Sequence, residues 1–338
     1  GTPLLFPSAE ARDIVVSTAA AKLGVPAADL KVSDGTITAP SSKSVTYWDL
    51  AREANFKREA TAKVKPKPAA EHRWVGKSIP RRDIPKKFTG GAAYVQDVRL
   101  PNTLFGRVVR PPSPGAQLMA VDEAAARKLP GVVAVVRDGS FLAVAAEREE
   151  QAIRAREALA KSARWGETMS LPPAGEALYK ELMSSPVPGE TVVEKTSPSA
   201  PAPAKTLEAL YTRPFQCHGS IGPSCAVAQW EGQKLIVWTH SQGVFPLRAD
   251  LAKVFGLKPG DIHCIHAEGS GCYGHNGADD VALDGALLAR ATGGRPVKLQ
   301  WMREDEFMWE PYGSAMVMKL SGGIDAQGNI VAWSHELW

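Results

Sequence analysis

The chain has 338 residues, a length that suits about two domains. Its 44% apolar and 22% charged residues describe a globular protein with a real core, and no apolar run approaches the ~20 residues that a membrane-spanning helix needs. A net charge of +4 marks no partner by itself. The four cysteines form no Cys-x-x-Cys pair, which excludes a zinc ribbon and a thioredoxin motif.

Residues 1–8 hold neither Met nor a basic region leading into an apolar stretch, so they do not read as a signal peptide. That start, and an end inside the strand-like run finishing at Trp338, read as a piece of a longer protein. Residues 9–23 are rich in Ala and predict a helix with Ser8 as N-cap and Gly24 as stop. Short strands at 30–32 and 36–38 meet across Asp34-Gly35, a two-residue hairpin turn, and 44–51 reads as a strand entering a helix. This unit of residues 1–56 is too small to bury its apolar faces alone. From Lys57 to Lys87, eleven Lys and Arg face only Glu59, Glu71 and Asp83. Pro66, Pro68, Pro80 and Pro85 interrupt that run, so residues 57–79 read as a solvated basic linker, not a nucleic-acid-binding face.

Residues 80–166 read as an α+β module: a strand at 104–110, a helix at 121–129 with Asp122 near its start, strands at 132–136 and 141–146, and an amphipathic helix at 148–161. Residues 167–206 lose periodicity and end in a Pro-rich connector at 197–203. The region 207–338 is the densest. Strands at 226–230 and 235–238 pair across Glu231-Gly232-Gln233, a helix at 245–255 stops at Gly256, and a strand at 261–266 is followed by a helix at 277–291. A strand at 297–301 and a hairpin across residues 325–328 complete it.

The passage at 268–280, EGSGCYGHNGADD, lets the backbone approach a ligand through Gly269, Gly271, Gly274 and Gly277. It leads into a helix N-terminus, where free N–H groups favour an anion, although Asp279 and Asp280 oppose a large one there. A purely structural glycine turn is the other reading. Neither a Walker A loop nor a G-x-G-x-x-G fingerprint is present, so a nucleotide site has little support. His218, His240, His263, His266 and His275 fall near Cys217, Cys225, Cys264 and Cys272 and raise a zinc-supported binding module as an alternative. Against it, three of the cysteines read as small buried hydrophobes. Gln242 follows a strand end, where its amide can donate to a ligand oxygen.

Together these motifs resemble the xanthine dehydrogenase and aldehyde oxidase superfamily. Asp83-Ile84-Pro85, Lys87-Phe88-Thr89-Gly90, Tyr94, Asp97, the 104–111 strand and Pro130-Gly131-Val132 resemble its a/b hammerhead domain. Trp238-Thr239-His240-Ser241-Gln242, Gly271-Cys272-Tyr273-Gly274, Ala286-Leu287-Leu288-Ala289 and Arg295-Pro296-Val297-Lys298 resemble its molybdopterin-binding region. A helix and hairpin ahead of the hammerhead, and Tyr273 and Asn276 in the loop, are most similar to large subunits of the isoquinoline 1-oxidoreductase and nicotinate dehydrogenase type. The resemblance implies an α+β fold in which a hammerhead (80–166) interrupts a molybdopterin-binding domain, represented by 1–56 and the start of its main part at 207–338.

The implied activity is hydroxylation of an N-heteroaromatic ring or an aldehyde, with oxygen taken from water and electrons leaving through [2Fe–2S] clusters on a small partner subunit. The implied cofactor is molybdenum-molybdopterin in its cytosine dinucleotide form, with cytochrome c or another protein as electron acceptor and a small aromatic substrate. Gln242, Gly271, Cys272, Tyr273 and Gly274 would line it, Gln242 by donating to an oxygen ligand of the metal. The general-base Glu is expected on sequence beyond Trp338, so the chain alone is expected to be inactive and to hold the cofactor weakly. Gly277 stands where xanthine-oxidising relatives carry a substrate-contacting Glu, which disfavours a purine substrate, and Gly222 replaces another Glu common in the family. A non-catalytic assembly domain is the remaining alternative. The compartment is open between bacterial cytoplasm and periplasm or envelope.

Overall fold

The computed structural model describes residues 2–167, 171–185, 189–275 and 277–338; Asn276, and parts of the expected connector at 168–170 and 186–188, lie outside them. The chain forms two compact units, residues 1–82 and 83–338.

In the first unit, α1 (Thr2–Leu23) starts well before residue 9 and contains Pro7, so Ser8 is inside the helix and is not its N-cap. Pro7 is the sixth residue of the helix, past the four free N–H groups of its first turn, so it costs one backbone hydrogen bond, and the helix runs through it nonetheless. Strands β1 (Lys31–Ser33), β2 (Thr36–Thr38) and β3 (Ser44–Thr46) form an antiparallel sheet ahead of α2 (Tyr47–Leu50). The expected two-residue turn is present, with φ of 45° at Asp34 and 73° at Gly35, the left-handed pair that matches strand twist. Thr46 caps α2 by accepting the Asp49 N–H at 3.2 Å, and the Asp49 carboxylate accepts the Thr46 N–H at 2.8 Å. Val15, Val16, Ala19, Ile37, Leu50 and Ala54 close a small core. The basic run up to residue 82 has only a single 3-10 turn, at Ala69–Glu71. Its beginning is tied to α1: buried Glu10 accepts from Arg58 at 2.5 Å and from the Thr61 N–H at 2.7 Å.

The second unit runs, in order, α3 (Ile84–Phe88), β4 (Leu104–Val108), β5 (Gln117–Ala120), α4 (Glu123–Arg127), β6 (Val132–Asp138), β7 (Phe141–Ala146), α5 (Glu149–Ser162), β8 (Arg164–Gly166) and α6 (Glu176–Met183). It continues with β9 (Lys205–Arg213), β10 (Cys225–Glu231), β11 (Lys234–Thr239), α7 (Val244–Phe255), β12 (Ile262–His266), α8 (Asp280–Ala291), β13 (Val297–Gln300), α9 (Arg303–Trp309), β14 (Met316–Ile324) and β15 (Ile330–Leu337). The mixture is α+β. Within the stretch expected to be aperiodic, α6 is an amphipathic helix that buries Leu178.

One seven-stranded sheet, in the order β12-β11-β10-β13-β4-β7-β6, spans the unit. Its centre is the parallel pair β13 and β4, with Val297 opposite Leu104, which joins strands from the two halves of the unit. Strand β7 shows why the sheet is covered on both sides. Leu142 and Val144 pack with Ala155 and Leu159 of α5, whereas Ala143 and Ala145 belong to the core built on α8 with Val281, Ala286 and Leu288. The small residues let α8 approach closely; a Cβ on Gly106 would stand 2.8 Å from Leu288 Cδ2. At the β4 exit, Arg110 pairs with buried Asp284 of α8, whose carboxylate also accepts the Trp301 indole N–H at 2.9 Å. A separate antiparallel sheet, β15-β14-β9, contains the expected final hairpin and adds β9 as a third strand.

Candidate cofactor site

Strand β11 delivers Gln242 through a braced turn. His240 and Ser241 are buried behind it, the Ser241 hydroxyl donates to Asp279 Oδ2 at 2.9 Å, and it accepts the Gly243 N–H at 3.0 Å. His266 Nδ1 lies 3.0 Å from the Ser241 carbonyl oxygen, and the Ala267 N–H donates to the Thr239 carbonyl at 2.9 Å. Gln242 itself stays exposed, and its amide Nε2 lies 3.5 Å from Cys272 Sγ. The two expected site segments therefore meet in space.

The glycine-rich loop links β12 to α8, which begins at Asp280 and not at 277. Gly271 and Gly274 have φ of 131° and 124°. At Gly274 a Cβ would stand 2.7 Å from His218 Cδ2, so glycine is required both by conformation and by space. Cys272 and Tyr273 are exposed beside them, with Tyr273 56% exposed. The amide of Ala278, which the sequence leaves as a free donor at the helix entrance, donates instead to the Ser224 hydroxyl at 2.8 Å. The loop thus exposes Cys272, Tyr273 and Gly274, with the Tyr273 ring lying against Gly271, and is held on its inner side by Ser220 and Ser224.

Burial on the inner side works against charge. Burial, helped by nearby His275, depresses His240 to about 4, so its imidazole is uncharged at neutral pH. Burial also pushes the Asp279 carboxyl up, against the lowering effect of the Ser241 hydroxyl. Among the described residues no three His, Cys, Asp or Glu converge to hold a metal ion, so the zinc-module reading finds no geometric support. His263 and Cys264 sit on β12, and the Cys264 thiol is pushed by burial up to about 11, as befits a packing residue.

Sequence reasoning missed a second layer beneath the loop. Gly222 exchanges hydrogen bonds with Ser270: its N–H donates to Ser270 Oγ at 2.9 Å, and Ser270 Oγ lies 3.1 Å from its carbonyl. A Cβ there would stand 2.3 Å from the same hydroxyl, which is a local reason for glycine at this position. The Ser220 hydroxyl donates to the Gly271 carbonyl at 3.1 Å. Two buried carboxyls, Glu306 and Glu310, close this layer from α9 and its C-terminal end. No local signal marked them, because acidic residues in and just after a short helix read as a solvated face.

Two family models match the chain: the aldehyde oxidase and xanthine dehydrogenase a/b hammerhead domain over residues 89–143, and the molybdopterin cofactor-binding domain over 192–338. The chain is 39% identical to a nicotinate dehydrogenase subunit of Pseudomonas putida over 344 residues, covering 99% of this chain and 29% of that protein. It is 30% identical to the aldehyde oxidoreductase molybdenum-binding subunit PaoC of Escherichia coli, covering 80% and 41% respectively. The beta subunit of isoquinoline 1-oxidoreductase from Brevundimonas diminuta is 24% identical, covering 97% and 48%. The chain thus spans between 29% and 48% of the length of these relatives. The solved aldehyde oxidoreductase from Desulfovibrio gigas superposes with a TM-score of 0.62 at 22% identity, over 86% of this chain and 37% of that one, which shows the shared fold. The chain belongs to the xanthine dehydrogenase and aldehyde oxidase superfamily, among its molybdopterin-binding chains.

Proposed function

We propose that this chain forms one wall of a molybdopterin site in an enzyme that hydroxylates an N-heteroaromatic or aldehyde substrate with water as oxygen source. The observation that carries this reading is the convergence of Gln242 on the glycine-rich loop at Gly271–Gly274, with Nε2 3.5 Å from Cys272 Sγ. The donor set suits such a group. Gln242 offers an exposed amide, Gly271 and Gly274 offer backbone without side chains, and Tyr273 stands exposed beside them. When bound, the molybdenum cofactor supplies the two-electron oxidation.

This chain's own residues bind and orient. Gln242 presents a fixed N–H donor, already braced through Ser241 and Asp279, at the place where ligand oxygen would gain charge. The exposed Tyr273 ring offers an aromatic face to a flat substrate. The general-base Glu, the [2Fe–2S] clusters on a small subunit and an acceptor such as cytochrome c are assigned to sequence and chains outside these 338 residues. The cytosine dinucleotide form of the cofactor, and a hammerhead at 80–166 inserted between 1–56 and 207–338, belong to the same reading. The nicotinate dehydrogenase relative, matched over 99% of this chain, makes a nitrogen-containing aromatic ring the preferred substrate class. The test is turnover of the complete enzyme with N-heteroaromatic and aldehyde substrates in heavy-oxygen water and an artificial electron acceptor. Label in a hydroxylated ring or carboxylate product is expected; unlabelled product or no turnover across both classes contradicts the reading.

A further inference from the structure

The loop that would face the cofactor rests on a second tier, and that tier rests on two carboxyls. Glu306 and Glu310 are 0% and 3% exposed. Glu310 accepts the N–H groups of His218 and Gly219, the latter at 3.2 Å from each of its oxygens. Glu306 Oε2 accepts the Ser224 N–H at 2.6 Å. Both ends of the 218–224 segment are therefore pinned to one short element. Arg303, from the same helix, donates to the carbonyls of Ser220, at 2.8 Å, and Ile221.

That segment passes the constraint upward. Ser220 holds the Gly271 carbonyl, Gly222 is interlocked with Ser270, Ser224 takes the Ala278 N–H, and the His218 ring backs Gly274. We propose that Glu306 and Glu310 are positioning residues of the cofactor site, a buried carboxyl clamp that sets the height and shape of the Gly271–Gly274 loop through residues 218–224. The assignment of the loop to a cofactor rests on the function proposed above; the clamp itself rests on the hydrogen bonds.

The two carboxyls differ in a way that a space-filling role would not need. Glu310 accepts N–H groups with both oxygens, so a Gln there turns an NH2 toward an amide donor. Glu306 uses Oε2 alone on an amide, and its Oε1 takes none. Burial pushes the Glu306 carboxyl up, against the Ser224 amide, and neighbouring Glu310 pushes the same way, so a neutral Gln suits that position.

Hydrogen–deuterium exchange of the hydrogen-bonded amides of Gly222 and Ala278, which tie residues 218–224 to the two ends of the glycine-rich loop, measured on the complete holoenzyme, reads the clamp directly. Glu310→Gln is expected to raise exchange there about tenfold, Glu306→Ala to do the same, and Glu306→Gln to stay within about twofold of the parent. Unchanged exchange of these amides in Glu310→Gln overturns the proposal, as does an equal rise in both Gln variants, which are the same size as the native side chains. If Glu310→Gln does not fold, the contrast between Glu306→Gln and Glu306→Ala decides, and equal exchange in those two refutes the clamp. Because the measurement follows backbone amides and not turnover, it stands or falls separately from the molybdenum reading.

Discussion

The amide nitrogen of Gln242 lies 3.5 Å from the sulfur of Cys272, across a chain separation of 30 residues. Nothing local brings them together. The contact exists because β11 and β12 are parallel neighbours in one sheet, with Thr239 opposite His266, so that both chains leave the sheet at the same end. Sites of open α/β sheets collect at such strand ends. Replacing Gln242 with Ala keeps this scaffold and removes the donor. In the complete enzyme it is expected to lower kcat about 10–100-fold with the melting temperature nearly unchanged, as measured by steady-state kinetics and calorimetry.

Gly274 is held by conformation and by space together. Its φ of 124° and the 2.7 Å approach of a Cβ to His218 mean that Gly274→Ala must move the loop or the ring. A cost of about 1–3 kcal/mol and a fall in bound molybdenum are expected. Gly139 is the matched control: its φ is 58° with nothing within 4 Å of a Cβ, so Gly139→Ala costs about 1 kcal/mol and leaves molybdenum content unchanged. Denaturant melts and metal analysis of both variants measure the difference.

His240 makes the fold sensitive to acid. Its folded value of about 4 lies below the ordinary 6.5, so the unfolded state binds the proton more readily. The stability this contributes is complete above pH 6.5 and is lost as pH falls toward 4. Glu306, Asp279 and Asp284, all pushed up by burial, act in the opposite sense over their own ranges, so the readout is a difference between proteins. A His240→Asn variant is expected to lose less stability than the parent between pH 6.5 and 4.5 in urea melts.

The pair between Arg110 and Asp284 ties the β4 exit to α8. Burial pushes Asp284 to about 6 even with the guanidinium beside it, and Arg110 also stacks 4.3 Å over the Trp301 ring. A carboxyl raised in the folded state costs stability as pH rises from about 4 through 6. Arg110→Met removes the compensating charge and should destabilise the protein by about 3 kcal/mol at pH 8 and by clearly less at pH 5. Thermal melts at the two pH values check the sign.

Local chemistry made many of the elements legible. Asp122 accepts the Ala125 N–H at 3.0 Å as the cap of α4, β10 and β11 meet across Gly232-Gln233, and Asp34-Gly35 forms its turn as written. Short strands such as β5 and β8, of four and three residues, carry too few side chains to show a period. The pairing of β13 with β4 joins residues almost two hundred positions apart, which no local pattern encodes. In the site, Gln242 and the glycine loop could be read because glycine spacing and a strand-end amide are local signals. Glu306 and Glu310 could not, because an acidic helix reads as a solvated face until the burial of its partners is known.

Metal and pterin analysis of the complete purified enzyme tests the central claim most directly. About one molybdenum and one molybdopterin per chain are expected, both reduced in a Gly274→Ala variant. Zinc alone, or neither metal nor pterin in an active preparation, would contradict a molybdenum site at this loop.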